Sequence, residues 1–406
     1  MSGAVSGRSI AIAGAGIGGL TAALALARLG HHVTVFEQAP VLQEIGAGIQ
    51  MGPNAFKLFE VIGIRGALDK VAVFPERYQI NDLRTGEALT HIPYGQTCLK
   101  RFGHPYGVVH RHDLHSILVD ASRRAGVEIT LQSRVKGFDT ESAGVVVHCE
   151  DGTSRRFDVL IGADGINSRV RAQIRRGEPD PIAPGLLAAR AVLHIAQVPE
   201  NLRHPQITIW LGPGCHLICY PLRAGELFNL AAVFASDSDP ASPDWSMRKE
   251  IDRAFAELTP EIVPLLSFLE EKVYRAATER VPITQWVEGP VALLGDAAHA
   301  MTQNLAQGGC MAIEDAIVLA EAIAQHPDDI STAFQIYNSK RAPRATHVQY
   351  VARQMGDILH LRDAERDARN AILRDRSPED NLAFFSWLYD GIEVGESTRA
   401  RLRGLS

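Results

Sequence analysis

Gly14-Ala-Gly16-Ile-Gly18-Gly19 decides the fold. The segment lies between an apolar run, Ser9–Ala13, and a helical pattern over residues 20–29. A strand that feeds a glycine turn opening a helix is where a dinucleotide pyrophosphate binds, because the first amides of a helix lack partners and carry its positive end. Each glycine has a reason: Gly14 permits the tight turn, Gly16 lets the backbone approach the phosphates, and Gly19 lets the helix pack closely on the sheet. The next strand, residues 33–36, ends in Glu37, whose carboxylate can accept bonds from ribose hydroxyls. Farther along, Asp164-Gly165 and Gly295-Asp296 each follow an apolar strand-like run and suit the same ligand.

A chain of 406 residues is too long for one small core and suits two interleaved domains, or one large domain with an insertion. Hydrophobic content of 46% with 22% charge is ordinary for a globular protein, and a net charge of -6 offers no broad attraction to nucleic acid or an anionic membrane. Cys98, Cys149, Cys215, Cys219 and Cys310 form no CxxC pair, are too sparse for a zinc site or disulfide framework, and fit a reducing cytoplasm. No stretch reaches the roughly 18 uninterrupted apolar residues of a membrane span, and the glycine periodicity near the start argues against a signal peptide.

The pattern of elements predicts an α/β fold in which a Rossmann-like cofactor domain (1–72, 107–175 and 285–345) is interleaved with a β-sheet substrate domain (73–106 and 176–284). A helical C-terminal region (346–406) follows. A hairpin is expected around Thr85-Gly86, and long alternating strands around residues 206–211, 216–221 and 228–234. The charged run 362–376, with Ala364, Ala368 and Ile372 on one stripe, reads as a solvated helix. Gly46-Ala-Gly48-Ile-Gln-Met-Gly52 mimics a second nucleotide loop. No buried strand leads into it, so it is read as a loop lying close to a planar ligand before the helix start at Pro53.

Taken together, these segments resemble the FAD-dependent aromatic hydroxylases that share the fold of para-hydroxybenzoate hydroxylase, and the resemblance covers nearly the whole chain. It implies FAD as cofactor, NADH or NADPH as transient electron donor, O2 and a small aromatic acid as substrates, and a homodimer. In that family the segment Asp164-Gly165 contacts FAD and is implicated in NAD(P)H binding, Asp296 takes the ribityl hydroxyls, and Arg111 in its Arg-x-x-Leu pattern contacts the cofactor. Taken singly, Asp164 could cap the next turn, Asp296 could be a helix N-cap and Arg111 a surface charge. Within the family the likeness is strongest to 3-hydroxybenzoate 6-monooxygenases, then to salicylate hydroxylases and 6-hydroxynicotinate 3-monooxygenases. It rests on Gly214-Cys-His216-Leu-Ile-Cys-Tyr220-Pro221, Gln303 and Ala306-Gln-Gly308-Gly309. Asn304 and Met301-Thr302 depart from the pattern, which bears on the substrate and not on the cofactor.

The resemblance implies hydroxylation through a flavin C4a-hydroperoxide, most readily of 3-hydroxybenzoate to gentisate. His216 is the candidate base for the phenolic proton, since an imidazole titrates near neutrality. On a strand His216 and Tyr220 point to one face, and Tyr220 and Gln303 are the candidates to orient the substrate by hydrogen bonds. Gly308 and Gly309, opening the next helix, are expected to aim amides at the flavin edge that becomes negative on reduction. His216 and Tyr220 could instead be ordinary core residues, and His299 and Cys310 carry no assigned role.

Overall fold

Ser9–Ala13 is an inner strand of a six-stranded sheet with the order Val287–Glu288, Val291–Leu293, Val159–Gly162, Ser9–Ala13, His32–Phe36, Glu128–Thr130. Every pairing is parallel except that of the edge strand Val287–Glu288. Ile10, Ala11 and Ile12 expose no surface, as expected of strands covered on both faces by crossover helices. The structure is a computed structural model that describes residues 7–42, 48–142, 144–183, 185–236, 238, 242, 244–269, 274–275 and 278–404. Gly14 turns at φ +102°, and a Cβ on Gly19 would stand 2.1 Å from the Gly14 carbonyl oxygen. Only a glycine there lets the helix Ile17–Arg28 start this close over its strand.

A second, seven-stranded sheet runs in the order Tyr274–Arg275, Leu186–His194, Leu227–Ala235, Cys215–Leu222, Ile207–Gly212, Tyr78–Asp82, Ala88–Ile92. It is antiparallel except where Ile207–Gly212 pairs with Tyr78–Asp82. The expected hairpin is present, with Gly86 at φ +74° between its strands. Register sets what this sheet presents. Arg190 lies opposite Ala231, Ala231 opposite Ile218 and Ile218 opposite Ile209, so these four form one row across the sheet. His216 pairs with Val233 on one side of that row and Tyr220 with Asn229 on the other.

Two readings of the sequence change. Gly46 lies outside the described residues, but Gly48–Met51 is a strand, paired antiparallel with Gly107–His110, rather than a loop. Pro53 does start a helix, Pro53–Val61. The charged run forms the helix Asp363–Asp375, yet it is not a freely solvated one. Arg369 and Asn370 are buried, and Arg366 and Asn370 both bond Asp82 on the second sheet. The long helix Ile330–Leu359 runs unbroken through position 345. Shorter helices follow at Pro378–Phe384, Ser386–Tyr389 and Glu396–Leu402. The last of these docks on the first helix, where Arg28 Nη1 donates to the Leu402 carbonyl at 2.6 Å and Arg401 Nη2 to that of Leu29 at 2.6 Å. Among the described residues no helix is long and apolar enough to cross a membrane, and all five cysteines are buried and unbridged.

Candidate active site

A cavity of about 1440 Å³ opens between the two sheets. One wall is built from the glycine segments. Gly16, at the N-terminus of Ile17–Arg28, faces it, as do Gly165, Gly295 and the first residues of the helix Gly308–Gln325, Gly308 and Gly309. Neither of those helices has an acid in its first turn, so both present free amides and a positive end to the cavity. Arg111 lines the same wall from the first turn of Arg111–Arg124.

Asp296 is the one exposed residue in the stretch from Val291 to Ala300, and what it faces is the cavity. Its carboxylate has no protein partner among the described residues. Behind it lies a network that the sequence reading missed. Asp315 accepts from the Gly295 amide at 3.0 Å, from His299 Nε2 at 2.6 Å and from Arg341 Nε at 2.7 Å. Arg341 also pairs with Glu314, which Arg344 and Asn54 share. Burial alone would raise the Asp315 and Glu314 pKa values, but His299 and Arg341 for the first, and Arg341 and Arg344 for the second, outweigh it and hold both below the ordinary range. A filled set of partners is what makes so many buried charges tolerable. Its product is a rigid mount for Gly295-Asp296, and His299 thereby gains a role as an anchor. The detectable signal was the adjacent pair Glu314-Asp315 set among the apolar residues of that helix.

Two predicted cofactor residues are engaged by their own backbone. Asp164 accepts from Ser168 Oγ at 2.5 Å and from the amides of Arg169 and Val170, which is the capping arrangement. Burial raises its pKa in spite of those bonds. Its neighbours Ala163 and Gly165 line the cavity, whereas Asp164 shapes their turn. Glu37 accepts from the Ala15 amide at 2.8 Å and the Ala39 amide at 2.9 Å, so it braces the glycine turn while standing at the strand end where a ribose would lie.

The opposite wall is the second sheet, and it brings His216, Tyr220 and Gln303 onto the same cavity. His216 is 5% exposed, and its Nδ1 lies 2.8 Å from Nε2 of His360. Burial, and then His360, push the His216 pKa well below its ordinary value. Burial with Arg369 and Arg362 brings His360 down to about 4, so both rings are neutral at pH 7. Gln303 accepts from Arg190 Nη2 at 2.6 Å through its carbonyl, which turns its amide NH2 away from Arg190 as the group left to donate. Arg190, also on the cavity, was not foreseen; an arginine within Leu186-Leu-Ala-Ala-Arg190-Ala-Val-Leu is the signal that could have found it. Burial raises the Tyr220 phenol, with Arg190 working against the rise. An aromatic group closes one end. Tyr94 and Tyr106 stack at 3.9 Å, and the hydroxyls of Tyr94 and Tyr389 bond at 2.7 Å.

The model of the FAD binding domain family matches residues 8–352. The 3-hydroxybenzoate 6-hydroxylase of Polaromonas naphthalenivorans (strain CJ2) is 39% identical over 391 residues, covering 95% of this chain and 96% of that one. A protein of the same name from Klebsiella oxytoca is 36% identical over 383 residues, 93% and 95% of the two chains. Among solved structures, Klebsiella pneumoniae HpxO complexed with FAD and uric acid superposes with a TM-score of 0.85 at 29% identity, covering 95% of this chain and 97% of that one. The residues present fit FAD. A Cβ on Gly16 would meet nothing within 4 Å, so the backbone lies open to a pyrophosphate, and the unpartnered Asp296 carboxylate suits a polyhydroxyl chain.

Proposed function

Since the chain belongs to the family of FAD-binding aromatic hydroxylases, we propose that it hydroxylates 3-hydroxybenzoate at the carbon para to the hydroxyl. The product is gentisate and NADH is the electron donor. One observation carries this reading: the cationic Arg190 with Gln303, and the neutral His216, stand at separate places on one wall of the cavity that Asp296 and Gly308 face from the other. Arg190 is two strands and two residues of register from His216, roughly 12 Å at the usual strand spacing and rise. A guanidinium reaching inward from one strand and an imidazole from the other bracket a single aromatic ring.

Bound FAD, once reduced by NADH, supplies an electrophilic oxygen atom derived from O2. The chain's residues then have three tasks. Arg190 and the Gln303 NH2 take the substrate carboxylate, the first as a charged partner and the second as a neutral donor. His216, with its Nδ1–H given to His360, keeps a lone pair on Nε2 that accepts the phenolic proton and makes the para carbon electron-rich. The aromatic group of Tyr94, Tyr106 and Tyr389, with Ile218 and Ile209 on the sheet, limits water beside the reacting carbon. One oxygen atom enters the ring, the other leaves as water, and NADH provides the two electrons.

The test is NADH oxidation by FAD-loaded protein with 3-hydroxybenzoate, salicylate and 6-hydroxynicotinate in turn, each product identified by mass and chromatography. Gentisate formed in step with NADH use supports the reading. Hydrogen peroxide alone from 3-hydroxybenzoate, with a hydroxylated product from another acid, moves the substrate elsewhere in the family. The family resemblance also supports a homodimer, which sedimentation equilibrium checks.

A further inference from the structure

We propose that the helix Asp363–Asp375 is a hinged flap over the outer end of the cavity, and that the aromatic acid enters and leaves beneath it. The proposal rests on the reading of the cavity as the site of an aromatic acid. Glu365, Ala368, Arg369, Ile372 and Leu373 line the cavity, so the apolar stripe that carries Ala368 and Ile372 is turned toward the ligand space. Ile372 is 60% exposed while it lines the cavity, which puts the helix at the rim. An amphipathic helix is ordinarily fixed by packing its apolar face into a core. Here none of the helix's apolar side chains joins a hydrophobic cluster of the described residues, and the two residues it buries are Arg369 and Asn370. Segments with few buried apolar contacts lie at the low end of the free energies for local opening.

The attachments are polar, and they divide into two anchors and a latch. On the N-terminal side the His360 carbonyl accepts from the Gly214 amide at 3.1 Å, and its ring meets that of His216 at 2.8 Å. On the C-terminal side Asn381 Nδ2 donates to Thr90 Oγ1 at 2.8 Å and to the His91 carbonyl at 3.1 Å. Both anchors lie outside the helix, and a break separates each from it. Asp363 stands at φ +46°, in the left-handed region that few residues other than glycine adopt, and Arg376 is extended ahead of Ser377-Pro378. Such terminal positions are where hinges absorb a change of backbone angle. The latch closes on the hairpin of the second sheet. Asp82 takes Arg366 and Asn370, and Glu87 takes Arg374 at 2.7 and 2.9 Å. Arg369 adds bonds to the carbonyls of Ile358 and Leu359 at 3.1 and 2.9 Å, at the end of the long helix. Lifting the flap exchanges these bonds for bonds to water and uncovers no packed core. An aromatic ring beneath Ala368 and Ile372 offers the stripe the apolar contact that the protein itself does not.

The test uses FAD-loaded protein with 3-hydroxybenzoate and benzoate as probes. In hydrogen–deuterium exchange of the wild type, the amides of 363–375 should exchange at least about a hundredfold faster than those inside Ile330–Leu359, and should slow when either acid is bound. Arg366→Met weakens the latch and leaves Asp82 its bonds from Asn370 and from the amides of Arg84 and Thr85, so the hairpin should hold. Loss of one charge-assisted hydrogen bond should speed exchange of 363–375 by about tenfold or more. Stopped-flow binding of each acid, read from the visible flavin spectrum, should show association and dissociation both quickened by a like factor, with Kd nearly unchanged. Equal rates in variant and wild type overturn the flap. So does an affinity that falls with no gain in association rate, which marks a damaged site and not an easier entry. Exchange of 363–375 as slow as that of Ile330–Leu359 overturns the flap without any variant and leaves the substrate reading intact. Failure of the wild type to bind any aromatic acid overturns the substrate reading, and the entry path with it.

Discussion

Arg190→Gln tests the substrate assignment most directly, because Arg190 is the cation through which the proposed carboxylate would be held. The pocket side of the residue is half-buried, with its guanidinium tied at 2.6 Å to Gln303. At an effective dielectric constant of about 20, a charge pair 4 Å apart is worth roughly 4 kcal/mol before desolvation. A charge-assisted hydrogen bond nets about 1.5–3 kcal/mol once desolvation is included. At 1.4 kcal/mol per factor of ten, Kd for 3-hydroxybenzoate should rise roughly 10- to 150-fold. The variant also frees the Gln303 carbonyl, at a cost of about 1 kcal/mol, but that loss falls equally on any ligand. The ratio of two affinities removes it, as in a double-mutant cycle. Titrations of the FAD-loaded protein, followed by the visible flavin spectrum, should show 3-hydroxybenzoate weakened far more than the uncharged 3-hydroxybenzamide. Equal weakening of acid and amide, or an unchanged acid, refutes the carboxylate contact.

Asp296→Ala should raise the FAD dissociation constant by about one to two powers of ten, the worth of one lost charged hydrogen bond. The FAD-free protein should melt as before, since the carboxylate has no protein partner; FAD titration and melting curves check both. Asp315→Asn should cost about 3 kcal/mol or more of folding free energy by leaving Arg341 and His299 short of charge, and should loosen FAD through Gly295, measured by urea unfolding with and without FAD. Stability should also depend on pH through the buried histidines. His216 and His360 have folded pKa values below the ordinary 6.5, so the unfolded chain takes up protons that the folded one refuses. Their contribution is whole above pH 6.5 and declines as the pH falls toward the folded value of about 4 for His360. The slope is up to roughly 1.4 kcal/mol per histidine per pH unit. Urea unfolding from pH 7.5 to 5 should show that decline, and His360→Gln should reduce it; an unchanged slope in the variant counts against the assignment.

What the sequence made legible was whatever local backbone geometry dictates. Gly14 and Gly19 are constrained by each other's atoms, five residues apart, so the turn could be read from a short window, and alternating apolar residues located the strands of the second sheet. The site was legible only in part. Arg190 and Gln303 are 113 residues apart, and His216 and His360 are 144. Neither partner of either pair has a neighbour that hints at the other. The charged run 362–376 misled because residue type alone suggested solvent, whereas Arg366 and Asn370 find Asp82 across 284 and 288 residues. Buried polar groups of this kind are paid for by distant partners, which a local pattern does not contain.

The aromatic end of the cavity draws on Tyr389, and the ring that bonds His216 is His360, while every glycine segment of the dinucleotide wall lies before residue 310. During synthesis the chain therefore completes its grip on the nucleotide well before it completes the chamber around the reactive ring. A ribosome that has released residue 350 carries a flavin cradle with one side open to water and oxygen. Until the segment that carries Tyr389 arrives and folds back, the aromatic end of the chamber stays unbuilt.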